Sequence, residues 1–480
     1  MTKLITTYFK EKINQPIHIA PLAMFRVVFG AVMFSSVIRF ILKGWVYDLY
    51  IQPTFYFTYY GFEWVKPLCT QAMYILFAVM AFSYFLVMLG CLYRVAIVTA
   101  FLAFTYIELI DKTNYLNHYY FVSVVSFLLI FFPANKYFSL DVIRKPFLKI
   151  TQVPRWTIDA LKFQLAILYI YAGLSKLNYD WLVRAMPLKI WLPEKSYLPV
   201  IGSFMDYEWV AYLFSWLGAI YDLSIVFFLL NKKTRLIAYI FVVIFHVMTK
   251  LLLPVIGMFP YVMIFCTLIF FSEEFHKKII DWFLSLRVRA LGRLPIIQEG
   301  LEKNARQNFP PYKWNFFNCG STTPTLLKEL QKKIVLYMLG FYFILQLLIP
   351  IRFLLYPGKL FWTEQGYRFS WRVMLMEKAG KAFFHVKDSE TGKEIEVTNG
   401  DYLTKNQEKM MSTQPDMILQ FAHFLKKKYE MEGIKNPQVR VESYVTLNGS
   451  RSTLFIDSTV DLTKEKEGFL PKKWILPFNK

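Results

Sequence analysis

Long apolar runs separated by short polar breaks dominate the first 350 residues. Nine runs predict membrane-spanning helices, at roughly 20–41, 72–91, 94–110, 119–133, 159–174, 210–230, 236–249, 255–272 and 334–350. A bilayer core of about 30 Å takes roughly 20 apolar residues per helix. The runs 94–110, 119–133, 159–174 and 236–249 are short, and each alone would suit a buried core helix. A bundle with so few polar faces points to lipid instead. An odd number of crossings puts the two ends of the chain on opposite sides.

The pattern changes after residue 350. YRFSWRVMLM alternates in part and is rich in β-formers. KAFFHVKDSETGKEIEV places Thr391-Gly392 between two strand-like runs, and Asn448-Gly449 separates two more, both hairpin signals. QPDMILQFAHFLKKKYEME has helical spacing with a capping start near Ser412-Thr413. The expected fold class is a membrane all-α bundle of about nine transmembrane helices plus a C-terminal extramembrane β-rich domain carrying one helix. Residues 1–350 form the first part and 351–480 the second. Between the last two spans, 273–333 opens with EEFHKKIIDWFLSLRVRALGRL. It reads as a basic amphipathic helix on the inner membrane surface or as a plain topogenic linker.

Composition sharpens this picture. The chain is 56% apolar and 19% aromatic, with a formal charge of +21. With the N-terminus placed inside, the inner loops hold 23 Lys and Arg and the outer loops 8. The excess therefore reports membrane orientation, and no nucleic-acid motif accompanies it. The N-terminus is expected in the cytoplasm and the C-terminal domain outside it, in the periplasm of a bacterium or the endoplasmic reticulum lumen of a eukaryote. The first twenty residues lack a secretory-signal pattern. Cys69, Cys91, Cys266 and Cys319 are dispersed, without CxxC or a ligand spacing with His, so neither a zinc site nor a dense disulfide framework is expected. GxSxG, P-loop, HExxH and dinucleotide fingerprints are absent from the sequence.

Candidate chemistry sits at the edges of the runs. Lys176 follows the apolar run of LAILYIYAGLSKLNYDW, with Gly173 three residues before it. Low-dielectric surroundings disfavour a charged amine, which suits a general base, whereas a snorkelling lysine would only anchor the helix end. Asp111, Lys112 and Thr113 with Asn117 and His118 form a second polar cluster on the same expected side, able to share a pocket with Lys176. His118 reads as a proton-transfer group or as an interfacial histidine at a helix start. His246, inside FVVIFHVMTK, is expected to face inward, either as a packing hydrogen bond or as part of a site. Trp362, Tyr367, Phe369 and Trp371 could roof a flat apolar ligand or form a belt or core.

DKTNYLNHYY, AGLSKLNYDW, FHVMTKLLLPVIGMFPYVM and WTEQGYRFSW, in that order, resemble the vitamin K-dependent γ-glutamyl carboxylase family and its bacterial relatives. The similarity runs from about residue 20 to about 462. The resemblance implies that Lys176 is the base that deprotonates reduced vitamin K, a naphthohydroquinone, with menaquinol as a variant. Oxygen then produces a strong base that removes a γ-proton from a peptide Glu, and carbon dioxide adds to the carbanion. Asn117 and His118 would be catalytic with Lys176, holding and polarising the quinone and its oxygenated intermediates. His246, Tyr367 and Met374 would bind it as well. Ser370 belongs to the same late element, and Trp371 and Lys378 would contact the glutamate. The partners so implied are the bilayer, the quinone and a Glu-containing peptide or protein. Ser175 stands where vertebrate members carry a second lysine, and Lys378 where they carry an arginine. The alternatives are a quinol epoxidase with weak or no carboxylation, a membrane transporter, or a scaffold displaying the outer domain.

Overall fold

The structure is a computed structural model that describes residues 11–253, 256–291 and 325–478. A short strand, β1 (Pro16–His18), leads into α1 (Ala20–Leu42), α2 (Thr70–Leu89), α3 (Tyr93–Ile110) and α4 (Asn117–Phe131). Strand β2 (Gln152–Pro154) precedes α5 (Trp156–Lys176), α6 (Glu208–Leu230), α7 (Arg235–Leu252), α8 (Phe259–Cys266), α9 (Glu273–Leu291) and α10 (Thr325–Leu348). Seven of these helices are long and apolar enough to cross a membrane, and α4 and α8 with its 3-10 continuation are shorter apolar helices. The nine expected spans are therefore all helical among the described residues.

Their alternation is visible in the contacts. β1 pairs antiparallel with β2, and His18 N donates to the Glu273 carboxylate at 2.6 Å, so the starts of α1, α5 and α9 share one face. The first two spans are locked by a buried arginine. The Arg26 guanidinium donates to Ala134 O, Val87 O, Met88 O and Phe138 O at 2.5–3.0 Å. Two of those carbonyls belong to the last turn of α2, and Val87 O accepts from Gly90 N as well. Gly30 permits this approach, because a β-carbon there would stand 2.5 Å from Met88 N.

The C-terminal part is an antiparallel sheet of order β4-β3-β5-β6. Its strands are β3 (Lys378–Lys387), β4 (Glu394–Val397), β5 (Gln438–Leu447) and β6 (Thr453–Leu454). Both expected hairpins form. Gly392 has φ 71°, and Asn448 and Gly449 have φ 49° and 72°, the left-handed values that tight hairpin turns require. Two helices pack on the sheet rather than one. α11 (Lys405–Met411) opens with a Thr404–Gln407 capping box, and α12 (Pro415–Met431) starts one turn after it ends.

Two expectations are corrected. YRFSWRVMLM is not a strand: Phe369, Trp371 and Met374 adopt φ of 61°, 57° and 54°, which breaks the extended backbone into successive turns. Its alternation was a sign of side chains pointing to two sides, not of sheet pairing. Within 273–333, helix runs from Glu273 to Leu291 only, 292–324 lies outside the described residues, and the part from Thr325 on already belongs to the last span helix.

A polar clamp joins the sheet region to the bundle. Asp416 at the start of α12 pairs with Lys112 and Arg368, both at 2.7 Å. Gln407 donates to Asp111 Oδ2 at 2.9 Å and to Phe55 O at 2.7 Å. The Asp111-Lys112-Thr113 cluster therefore holds the outer part in place and does not share a pocket with Lys176. Burial opposes ionisation of Asp416, but Arg368 and Lys112 outweigh it and hold the carboxyl far below the usual carboxylate range. A carboxyl depressed in the folded state stabilises it above the unfolded pKa of about 4, and that contribution fades as pH falls toward the folded value. Asp416→Ala strands two buried cations and should cost about 3–5 kcal/mol. In melting experiments in detergent, the gap in apparent Tm between wild type and Asp416→Asn should stay constant from neutrality to about pH 5 and narrow only below about pH 4.

Candidate functional site

Lys176 is the last residue of α5, and it is 6% exposed. Its Nζ lies 2.5 Å from Asp222 Oδ2, and Asp222, in mid-α6, is 5% exposed. Nζ also donates to Ala172 O at 3.4 Å and stands 5.4 Å from the Trp181 ring centroid. A snorkelling role is thereby overturned, since the ammonium turns into the bundle to meet a carboxylate.

The pair exists because α5 and α6 approach closely. At Gly173 a β-carbon would stand 2.7 Å from Leu223 Cγ and 2.8 Å from Leu223 N. Gly218, one turn before Asp222, would place its β-carbon 3.9 Å from Lys176 Cε. The glycine beside the lysine thus serves helix packing. Asp222 escaped the reading of the sequence, although a lone acid within YDLSIVFF is itself a signal, because an intramembrane carboxylate needs a partner.

Lys176 and Asp222 line a cavity of about 110 Å³. Its walls are otherwise mainly apolar and aromatic, with Leu168, Phe214, Phe245 and Phe259 among them. His246 of α7 joins the lining, 1% exposed. Its Nε2 shares a hydrogen bond with the Tyr169 hydroxyl at 3.2 Å, while its Nδ1 is buried without a partner among the described residues. Val373 and Met374 close the cavity from the outer part. A greasy chamber with an amine, a carboxylate and one unsatisfied imidazole nitrogen fits a flat apolar ring bearing oxygens.

A second space adjoins the same helix end. A cleft of about 490 Å³ is lined by Leu174, Ser175 and Asn178 on one side and by Lys359, Phe361 and Arg372 on the other. Lys359 is engaged with Asp180 at 2.6 Å. Arg372 has no ion pair among the described residues, and its Nε is buried without a partner. Its guanidinium lies 4.4 Å over the Phe353 ring. Burial lowers its pKa, and Tyr367 opposes that effect. Consecutive residues of one segment thus serve two spaces, Arg372 the cleft and Val373 and Met374 the cavity. Arg372 carries no local signal of its own in the sequence, standing among the aromatic residues of YRFSWRVMLM.

Of the residues singled out from the sequence, Lys176, His246 and Met374 meet in the cavity. Asn117 and His118 do not line it. Asn117 Nδ2 donates to Arg372 O at 2.7 Å, which fixes the segment between the two spaces. His118 is 5% exposed and packs 6.0 Å from the Phe259 ring, whose other neighbour is His246 at 5.6 Å. The Tyr367 hydroxyl donates to Arg372 O at 3.4 Å, and Ser370 bonds back to Tyr367 O. Trp371 is fully buried and stacks on Tyr120 at 4.8 Å. Lys378 donates to Trp362 O at 2.7 Å and pairs with Glu364 at 2.9 Å. The aromatic run is therefore core and interface, not a roof over the cavity. No cluster able to hold a metal ion occurs among the described residues.

Residues 14–275 match the family model described as HTTM domain, more than half of the chain. Residues 331–480 match the model described as vitamin K-dependent gamma-carboxylase, lumenal domain. No solved structure matches the chain.

The close approach of α5 and α6 is directly testable. Gly173→Val forces a side chain into Leu223 and should cost roughly 1–3 kcal/mol by overpacking. It should appear as a lower apparent Tm of the detergent-solubilised protein, with Gly173→Ala intermediate.

Proposed function

The chain belongs to the vitamin K-dependent γ-glutamyl carboxylase family, and on that premise we propose that it is an integral-membrane enzyme that couples quinol oxidation to carboxylation of peptide glutamate. The reduced naphthoquinone, vitamin K hydroquinone or menaquinol, occupies the cavity beside Lys176. The observation that carries this reading is the convergence of Lys176, Asp222 and the unsatisfied His246 Nδ1 on one apolar chamber.

Each residue then has a physical task. Lys176 Nζ faces the ligand hydroxyl and takes its proton. His246 Nδ1 bonds a ligand oxygen, and the Tyr169 hydroxyl holds the imidazole at its other nitrogen. Met374 and the aromatic walls pack the ring and exclude water, which would otherwise quench a strong base. His118, behind Phe259, stands ready to contact the ligand when that ring moves. When bound, the quinol with O2 supplies the base strong enough to abstract a glutamate γ-proton, and CO2 is the electrophile that adds.

The glutamate approaches through the cleft, where Arg372 offers a cation with no counter-ion among the described residues. Asn117 and the Tyr367 hydroxyl hold its backbone. Trp371, locked on Tyr120, keeps the segment rigid. The quinone enters from the bilayer and the peptide from the outer aqueous side. The surplus of Lys and Arg on the β1 face supports a cytoplasmic N-terminus and an extracytoplasmic C-terminal sheet.

One observation favours a second reading, quinol epoxidation with weak carboxylation. Lys378 is committed to Glu364, and burial lowers its pKa despite that partner, so it offers little to an incoming carboxylate.

The purified protein in lipid nanodiscs, given reduced vitamin K, O2, labelled CO2 and a Glu-rich peptide, should form both epoxide and labelled peptide. Lys176→Ala should lower both by about 10²–10⁴-fold in protein that still inserts, with a lower apparent Tm because Asp222 loses its partner. Wild-type epoxide yield in that variant sinks the assignment. Arg372→Gln should reduce labelled peptide more than epoxide, and label without any epoxide would contradict the coupling.

A further inference from the structure

The lysine is not alone, and this changes what the base is. An ammonium paired with a carboxylate has no lone pair to offer. Lys176 and Asp222 make a pair that is electrically neutral as a whole, inside walls that would penalise a net charge. Asp222 makes no hydrogen bond among the described residues other than the one from Lys176, and it too lines the cavity. The other ionisable groups near it are Tyr169 from α5, Tyr221 on its own helix and His246 from α7. The pair therefore contains one vacant proton site, shared across a 2.5 Å contact.

We propose that Asp222 is the proton-accepting and positioning residue of a Lys176–Asp222 dyad, and that this dyad is the base. The proposal rests on the functional reading above. In the step, Nζ passes one proton to Oδ2 and takes one from the ligand hydroxyl. An N–H bond and the ligand O–H bond break, and an O–H bond at Asp222 and an N–H bond at Lys176 form. The ligand oxygen keeps the electron pair. Charge balances, since the dyad goes from neutral to +1 and the ligand from neutral to −1. The new cation lies against the new anion, so no lone charge is left in the chamber. A single lysine could take the proton only as the neutral amine, whereas the dyad does so with its ammonium in place.

Losing the carboxylate leaves the amine as the base, and only its unprotonated form, which higher pH favours, can take the ligand proton. The test is quinol-dependent epoxide formation across pH 6–9 by the full chain in nanodiscs, for wild type, Asp222→Asn and Asp222→Glu. Asp222→Asn should lose about tenfold more activity at pH 6 than at pH 9, a displacement of the acid limb by about one unit. Asp222→Glu keeps the proton site and should keep the wild-type profile shape. If Asp222→Asn fails to insert, Asp222→Glu decides alone, and an alkaline displacement there overturns the dyad. An equal loss at every pH in Asp222→Asn assigns Asp222 a merely structural role and also overturns it. A wild-type protein that forms no epoxide overturns the functional reading itself, and the dyad with it.

Discussion

Hydrocarbon tolerates a charge only when a partner cancels it, and that constraint organises this molecule. Mid-α6 carries a carboxylate and the end of α5 an ammonium, each nearly sealed from solvent. Neither could sit there without the other. Their meeting requires the two helices to touch backbone to side chain, which Gly173 permits. The pair then dictates the character of the cavity, because everything else around it is mostly apolar and adds no competing charge. Arg26 follows the same logic by a different route, since backbone carbonyls, two of them at a helix end, rather than an acid satisfy it.

The outer part completes the site, and the same argument explains its attachment. Asp416 gathers two cations, one from a loop of the bundle and one from the outer segment. Asp180, beside the end of α5, receives Lys359 and Asn448 from the outer part at 2.6 and 3.2 Å. These contacts bracket the segment that carries Arg372, Val373 and Met374. The packing beneath is shared, since Trp181, Leu188 and Val210 of the bundle side join Phe384, Phe421 and Val441 of the sheet in one core. Cavity and cleft are therefore built at a seam between two parts of one chain.

Much of this was legible in the residues. The spans declared themselves through unbroken apolar runs, and the hairpins through Thr391-Gly392 and Asn448-Gly449. Lys176 and His246 stood out as polar groups inside such runs, and the structure brings them to one cavity. What escaped was pairing across distance. Nothing local in DKTN says that Lys112 meets an aspartate some three hundred residues later, and so the cluster looked like part of a pocket. Asp222 was hidden among the aromatic and aliphatic residues of its own span. YRFSWRVMLM misled because its composition and partial alternation suit a strand, whereas its left-handed residues break the extended backbone.

That turn-by-turn segment has a consequence for how the protein can vary. Arg372 looks one way and Met374 another, so the chain there behaves as a partition whose two faces are written one residue apart. Inserting a single residue before Arg372 would carry the guanidinium into the place that Val373 now holds on the greasy side. A shift of frame at such a wall misplaces several side chains at once, where a point change alters one.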